Sequence, residues 1–269
     1  MDPLSAKLMV RPGSKFHLKH IDPTDTRGRA KADSAGILAK NIEKLSLLQY
    51  LLYAEGRRSV LVVLQGIDAG GKDGTIRHVM TGLNPQGVRV TPFKVPEGAE
   101  KRHDYLWRIH NAMPEWGQIG IFNRSHYEDV LVVRVHDLVP QKVWSQRYRQ
   151  INDFERMLSE SGVRVVKFLL YISKEEQAQR FRQRLGDKTK RWKFSASDLK
   201  EREYWDAYLD AYNDMLRKCS TEYAPWFVIP SNHKWFRNLA VSQILVETLE
   251  SMKLAYPKPA ADLSKIRFE

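Results

Sequence analysis

Gly66-Ile67-Asp68-Ala69-Gly70-Gly71-Lys72-Asp73 follows the apolar run Val60-Leu61-Val62-Val63-Leu64. Seven of its eight positions satisfy G-x-x-x-x-G-K-[ST]. Glycines at these positions let backbone N–H groups turn inward around phosphate oxygens, and the lysine adds a positive charge. The apolar run predicts a buried strand. A helix is predicted to start at about Gly71 and run through Thr75 to Met80, with its positive dipole end facing the same anion. The eighth position departs from the pattern: Asp73 stands where a hydroxyl usually meets a nucleotide-bound Mg²⁺. That points away from an ordinary ATPase or GTPase. The bland alternative is a glycine-rich strand-to-helix turn carrying a solvated lysine.

The rest of the chain repeats the strand-then-helix theme. Strands are expected at Val60–Leu64, Val88–Phe93, Ile119–Phe122, Val163–Ile172 and Trp226–Ile229, and most intervening segments are long enough for crossover helices. Such alternation predicts a parallel sheet covered on both faces. Apolar residues at helical spacing from Ile37 to Leu52 predict a helix over 33–55. Residues 1–31 are basic and broken by Pro12, Gly13, Pro23 and Gly28, which suits either a disordered arm or an ordered strap. Ala255 to Glu269 reads as a tail.

The 269 residues suffice for one large α/β domain or a domain with an inserted lid. A formal net charge of +12 favours a polyanion: nucleic acid, an anionic membrane or a phosphate polymer. The one cysteine, Cys219, excludes an internal disulfide and cysteine-rich zinc clusters. No apolar run approaches the length of a bilayer span, and Met1 to Val10 lacks a signal peptide's apolar stretch. The cytoplasm is the expected compartment.

Three constellations carry chemistry. Asp68 lies inside the loop, where a carboxylate beside phosphates is repulsive unless a cation intervenes. Mg²⁺, which takes carboxylate, water and phosphate oxygens, would resolve this; the alternative is an Asp that hydrogen-bonds loop amides. The second is Asn123-Arg124-Ser125-His126-Tyr127-Glu128-Asp129, just beyond the strand Ile119–Phe122, where parallel sheets place ligand groups. There Arg124 can clamp a phosphate, and Glu128 and Asp129 can supply carboxylates. Ser125 with Glu128 three residues on also reads as a helix start. The third is Arg180, Arg182, Arg184, Lys188, Lys190, Arg191 and Lys193, with Asp187 the only acid between them. Arg180 and Arg184 share a helix face. Either the stretch is a solvated basic helix or it is a lid closing arginines over a phosphoryl group. Lys94 just past a strand end is a further candidate phosphate ligand. Trp107, Trp205 and Trp235 are expected to fill core or helix seams.

Several blocks together resemble the polyphosphate kinase 2 family, over about Val10 to Val246. They are the loop extended through Gly74-Thr75, Asn84-Pro85-Gln86-Gly87-Val88, Phe93-Lys94, His103-Asp104-Tyr105-Leu106-Trp107-Arg108-Ile109-His110, and Phe122 to Val132. Trp192-Lys193-Phe194 with Asp198, Ala224-Pro225-Trp226, and Lys234-Trp235 continue them. The resemblance implies an α/β fold: a three-layer α/β/α phosphate-loop kinase fold with a parallel sheet and a short helical lid. It implies a single domain over 1–269, with the arm at about 1–31 and the lid at about 180–200. The implied activity is reversible transfer of the terminal phosphate of inorganic polyphosphate to a nucleotide, with Mg²⁺, for which Mn²⁺ can substitute. Diphosphate-specific members commonly carry Asp-Arg-Ser-Trp-Tyr-Asn-Arg in the second motif. The version here resembles the class III subgroup, which accepts AMP and ADP.

On this reading Asp68, Lys72, Arg124 and Arg180 are the expected catalytic residues. Gly66, Ala69, Gly70, Gly71, Asp73, Gly74, Lys94, Asn123, Arg134, Arg184 and Lys188 are expected to bind phosphate or nucleotide, and Asp68, Glu128 and Asp129 the metal. Polyphosphate and AMP or ADP are the expected partners, with neither membrane nor nucleic acid, and a homo-oligomer is expected. An ATP-dependent nucleoside monophosphate kinase would share the fold and lid. A nucleic-acid-binding NTPase would account for the charge but not for the second motif.

Overall fold

Every residue from Ser59 to Gln65 is buried, because this strand lies in the middle of the sheet and is covered on both faces. A strand in that position reads as an unbroken apolar run. The computed structural model describes residues 3–259 and Arg267. Its strands are β1 (Ser59–Gln65), β2 (Val88–Pro92), β3 (Ile119–Asn123), β4 (Val163–Tyr171) and β5 (Trp226–Pro230). They form one parallel sheet in the order β2-β3-β1-β4-β5. All five expected strands are present within a residue or two of their predicted ends.

The helices are α1 (Leu4–Leu8), α2 (Lys31–Glu55), α3 (Lys72–Val79), α4 (Trp107–Asn111), α5 (Val132–Val135), α6 (Gln141–Glu160), α7 (Lys174–Gly186), α8 (Ala196–Glu201), α9 (Trp205–Cys219) and α10 (Lys234–Ser251). Successive strand residues point to opposite faces, and β1 shows the consequence. Leu61 and Val63 pack with Ile109 of α4, Ile151 of α6 and Met215 of α9. Val60, Val62 and Leu64 pack with Leu45 of α2, Val79 of α3 and Ile244 of α10. The result is three layers. The expected helix over 33–55 is α2, which ends where Gly56 turns left-handed (φ 61°) and its N–H donates to the Leu52 carbonyl.

Residues 3–31 form an ordered strap. Leu4, Leu8, Val10 and Leu18 are each buried. The Val10 N–H donates to the Trp226 carbonyl at 2.8 Å, and the Leu18 N–H donates to Asn213 at 2.8 Å. Of the expected tail, 255–259 are irregular; apart from Arg267, the remainder lies outside the described residues. No helix among the described residues is long and apolar enough to cross a membrane.

Chain order reverses across β1, since β3 flanks it on one side and β4 on the other. Sheets of this kind bind ligands at the carboxyl ends of the strands beside such a reversal. Leu64 of β1 is level with both Asn123 of β3 and Phe168 of β4, so the two motifs singled out from sequence emerge side by side.

Candidate active site

The segment from Gly66 to Gly71 turns from β1 into α3, with Gly71 as N-cap in the left-handed region (φ 108°). Gly66 is required by a close approach: a Cβ there would lie 2.8 Å from the Leu170 carbonyl oxygen of β4. Ala69 is held at φ 62° and Arg124 at φ 64°. Two non-glycine residues in this costly region, one on each loop, mark backbone fixed by its surroundings.

A cleft of about 860 Å³ opens over the loop. Nine lysines and arginines and three aspartates line it, a balance suited to a polyanion. Lys72 points back along the loop and its Nζ donates to the Gly66 carbonyl at 2.5 Å. Burial pushes its pKa down, as does neighbouring Arg124. Arg124 donates to Asp68 Oδ1 at 2.9 Å and lies 4.0 Å from Glu128. Burial opposes the Arg124 charge, but Glu128 and Asp68 outweigh it and hold the guanidinium above its ordinary value. Glu128 sits behind Arg124, and burial pushes its carboxyl up in spite of Arg124 and Lys72.

Asp73 accepts from Asn123 Nδ2 at 2.9 Å and from Lys193 Nζ at 3.0 Å. Burial would raise its carboxyl, but the bonds from Lys193 and Asn123 prevail and leave it below the ordinary value. The residue that departs from the loop pattern therefore ties the phosphate loop to the second motif and to the basic stretch. Lys94 and Arg184 also line the cleft. Buried Arg108 fixes the backbone at Lys94 by donating to its carbonyl at 2.7 Å.

Other expected residues are engaged differently, and Arg180, although it lines the cleft, spends its donors on the protein itself. Arg180 is 5% exposed. It donates to Glu176 and to the backbone carbonyls of Ala69, Gly70, Ser231 and Asn232. Those acceptors lie on the loop and beyond β5, so Arg180 braces the body of the protein and is not carried on a lid. Gln177 of the same helix donates to the Asp68 carbonyl at 2.8 Å. The expected lid over 180–200 thus loses its first part to the body, because α7 buries Arg180 and Phe181. What projects over the cleft is the stretch after α7, with a 3-10 turn at Arg191–Lys193 and then α8.

Asp129 is outside the cleft: its carboxylate is taken by Arg147 at 2.8 Å. Arg134 pairs with Asp214 at 2.8 Å and Tyr148 at 3.1 Å and lies over Trp144. Lys188 is exposed and does not line the cleft. Trp205 is core, as expected, but Trp107 is half-exposed and stacked on His103, and Trp235 lines the cleft.

Three charged lining residues were given no site role from the sequence: Asp198 and Lys234, which stood only among the resembling blocks, and Arg237. Burial and the nearby Asp68 both raise the Asp198 carboxyl. Lys234 and Arg237 open α10 just beyond β5, and their place past a strand end was the available signal.

Under the second motif lies a fully buried network. Lys167 of β4 donates to Glu155 at 2.5 Å, to the Tyr127 hydroxyl at 2.8 Å and to the Cys219 carbonyl at 2.8 Å. The Tyr127 hydroxyl donates to Glu155 at 2.9 Å, and a His126 ring nitrogen lies 3.2 Å from it. The network fixes His126 and Tyr127, which lie in sequence between Arg124 and Glu128.

A parallel sheet in this order, with a glycine-lysine loop after β1 and a polar motif after β3, defines a phosphate-loop kinase fold. The chain belongs to the polyphosphate kinase 2 family, whose sequence model matches residues 29–257. It is 54% identical over 268 residues to the AMP/ADP-polyphosphate phosphotransferase of Meiothermus ruber, covering 98% of this chain and 99% of that one. It is 48% identical over 234 residues to an ADP-polyphosphate phosphotransferase of Rhodopseudomonas palustris, covering 82% and 81%. The crystal structure of polyphosphate kinase 2 from Arthrobacter aurescens superposes with a TM-score of 0.94 at 44% identity, over 98% of this chain and 94% of that one.

Proposed function

We propose that this chain transfers the terminal phosphoryl group of inorganic polyphosphate to AMP and to ADP, in either direction. The observation that carries the reading is the cleft itself: a phosphate loop whose usual hydroxyl is replaced by Asp73, in a cleft lined by nine lysines and arginines against three aspartates. The names of the relatives from Meiothermus ruber and Rhodopseudomonas palustris support the donor and the acceptors.

A nucleotide phosphate oxygen attacks the terminal phosphorus of the chain. The P–O bond to the next phosphate breaks, and the polymer leaves one unit shorter. Such transfer depends on alignment and charge neutralisation more than on covalent catalysis. The loop amides and Lys72 would hold the phosphates around the reacting phosphorus. Arg124, backed by Glu128, would clamp the acceptor phosphate at the end of β3. Lys193 would bring the segment after α7 down onto the loop and keep water out.

The cleft also suits a divalent cation, for which Mg²⁺ is our choice and Mn²⁺ an acceptable substitute. Asp68 offers hard carboxylate oxygens at the cleft wall, with Glu128 behind it. Mg²⁺ is commonly held by one or two carboxylates plus substrate phosphates. When bound, the cation would screen charge between donor and acceptor oxygens. Asp129, committed to Arg147, is left out of this set. We place the enzyme in the cytoplasm, in keeping with its single, buried, free cysteine.

Incubating the protein with AMP or ADP, Mg²⁺ and long-chain polyphosphate, and resolving the nucleotide products, tests the reading. ADP and ATP should form, and only when polyphosphate is present. Product formation from AMP with ATP as the sole donor, and none with polyphosphate, would replace it with an ATP-dependent monophosphate kinase.

A further inference from the structure

Arg237 lies in the first turn of α10, is 3% exposed, and has no acidic partner among the described residues. Its Nε and one terminal nitrogen donate only to the side-chain oxygen of Asn238, at 3.1 and 2.8 Å. The other terminal nitrogen, Nη1, reaches the phosphate loop. A Cβ added at Gly71 would lie 1.9 Å from it, and one added at Gly74 would lie 3.1 Å from Nη2. The two glycines are thus the floor on which this guanidinium rests, at the edge of the cleft that Arg237 also lines.

A buried, unpaired charge is costly unless something anionic meets it. Among the described residues none does. The charge that acts on it is another cation, Arg180; burial, with Arg180 nearby, brings the Arg237 pKa down to about 10. Lys234, one turn away, is likewise pushed down by burial and by Arg180. The carboxylates on this side are already taken: Glu176 by Arg180 and Asp187 by Lys190. The opposite side of the cleft differs, since Asp68, Asp73 and Asp198 stand there among Lys72, Arg124 and Lys193. That side can take a cation and a nucleotide phosphate. The α10 side, with two unpaired cations, fits only anion.

We infer that Arg237, with Lys234 beside it, binds the phosphates of the donor chain next to the one transferred, so that polyphosphate lies along the α10 side of the phosphate loop and the nucleotide enters from the β3 side. This deepens the reading of the cleft as a polyphosphate-to-nucleotide transferase and rests on it. Arg180, which the sequence nominated for the transferring phosphoryl group, spends its donors on Glu176 and on backbone carbonyls of the loop and beyond β5.

The test compares wild type, Arg237→Met and Arg237→Lys by steady-state kinetics with polyphosphate and AMP varied separately, by calorimetric binding of inorganic tripolyphosphate, and by thermal unfolding. For Arg237→Met, KM for polyphosphate should rise and tripolyphosphate affinity fall by roughly 10- to 100-fold, the range of a charge-assisted hydrogen bond. KM for AMP should change little, and the free protein should unfold no lower than wild type, because an unpaired buried charge has been removed. Arg237→Lys should recover part of the donor affinity. Unchanged tripolyphosphate affinity in both variants would overturn the assignment. So would a loss expressed in KM for AMP, or a fall in unfolding temperature with kinetics restored at lower temperature. A wild type with no polyphosphate-dependent transfer would instead refute the functional reading, while tripolyphosphate binding would still report on Arg237.

Discussion

The carboxylate of Asp73 occupies the position where most phosphate loops put a hydroxyl, and the amide of Asn123 donates to it at 2.9 Å. The two departures from the usual pattern fit each other, since an aspartate at 123 would set two carboxylates face to face. On the proposed function Lys72 is a point charge beneath the reacting phosphates; its Nζ donates to the Gly66 carbonyl. Lys72→Ala should lower turnover by about a hundredfold or more, as loss of an electrostatic contact to the reacting group does, while circular dichroism and unfolding temperature stay near wild type. A folded variant with most of its activity would remove Lys72 from the centre. Residues of this kind were legible because loop chemistry is local in sequence. Arg180 was not: spacing showed only that it shares a helix face with Arg184. The carbonyls of Ala69, Gly70, Ser231 and Asn232 that consume its donors come from distant parts of the chain. Arg237 was hidden for the same reason, as its unpaired state appears only once α10 is packed beside Gly71.

Among the elements, the strands were readable because each is an apolar run that the sheet buries, whereas the lid boundary was not, because burial of Arg180 and Phe181 is a tertiary event. The segment after α7 is fastened to the loop by Lys193 and Asp73, whose side chains are 36% and 65% exposed. An exposed pair of that kind contributes about 1 kcal/mol or less, which suits the proposal that this segment lifts from the cleft and closes over it. The Asp73 carboxyl lies below its ordinary 3.8. The contact is therefore fully charged above that value and is lost only as pH falls through the lowered one. Asp73→Asn should speed limited proteolysis between 187 and 201 by a few-fold, and the wild-type cleavage rate should be flat over about pH 5 to 9 once protease activity is corrected. A step in that range would mean that another group controls the cover. The buried network under β3 and β4 has a larger effect. Glu155→Gln would leave the Lys167 ammonium uncompensated, and urea unfolding should show a loss of about 3 to 5 kcal/mol. A loss below 1 kcal/mol would mean that Lys167 is neutral in the folded protein.

For the molecule as a whole, the net charge of +12 and the cation-rich cleft describe one preference, for a long anion. Surface charges are screened within about 10 Å at 0.1 M salt. Raising salt from about 0.05 to 0.5 M should therefore raise KM for polyphosphate several-fold, and more than KM for AMP, because the polymer meets more of the basic surface. Equal salt dependence for both substrates would argue that the donor touches only the loop. The central claim is that the phosphate loop serves a polyphosphate donor and an AMP or ADP acceptor within one cleft. Its most direct test follows nucleotide products by chromatography after mixing the enzyme, Mg²⁺ and AMP with long-chain polyphosphate or, separately, with ATP. The account predicts ADP and then ATP from the polyphosphate mixture, with both products abolished in Lys72→Ala; phosphorylation of AMP with ATP alone, and none with polyphosphate, would contradict it.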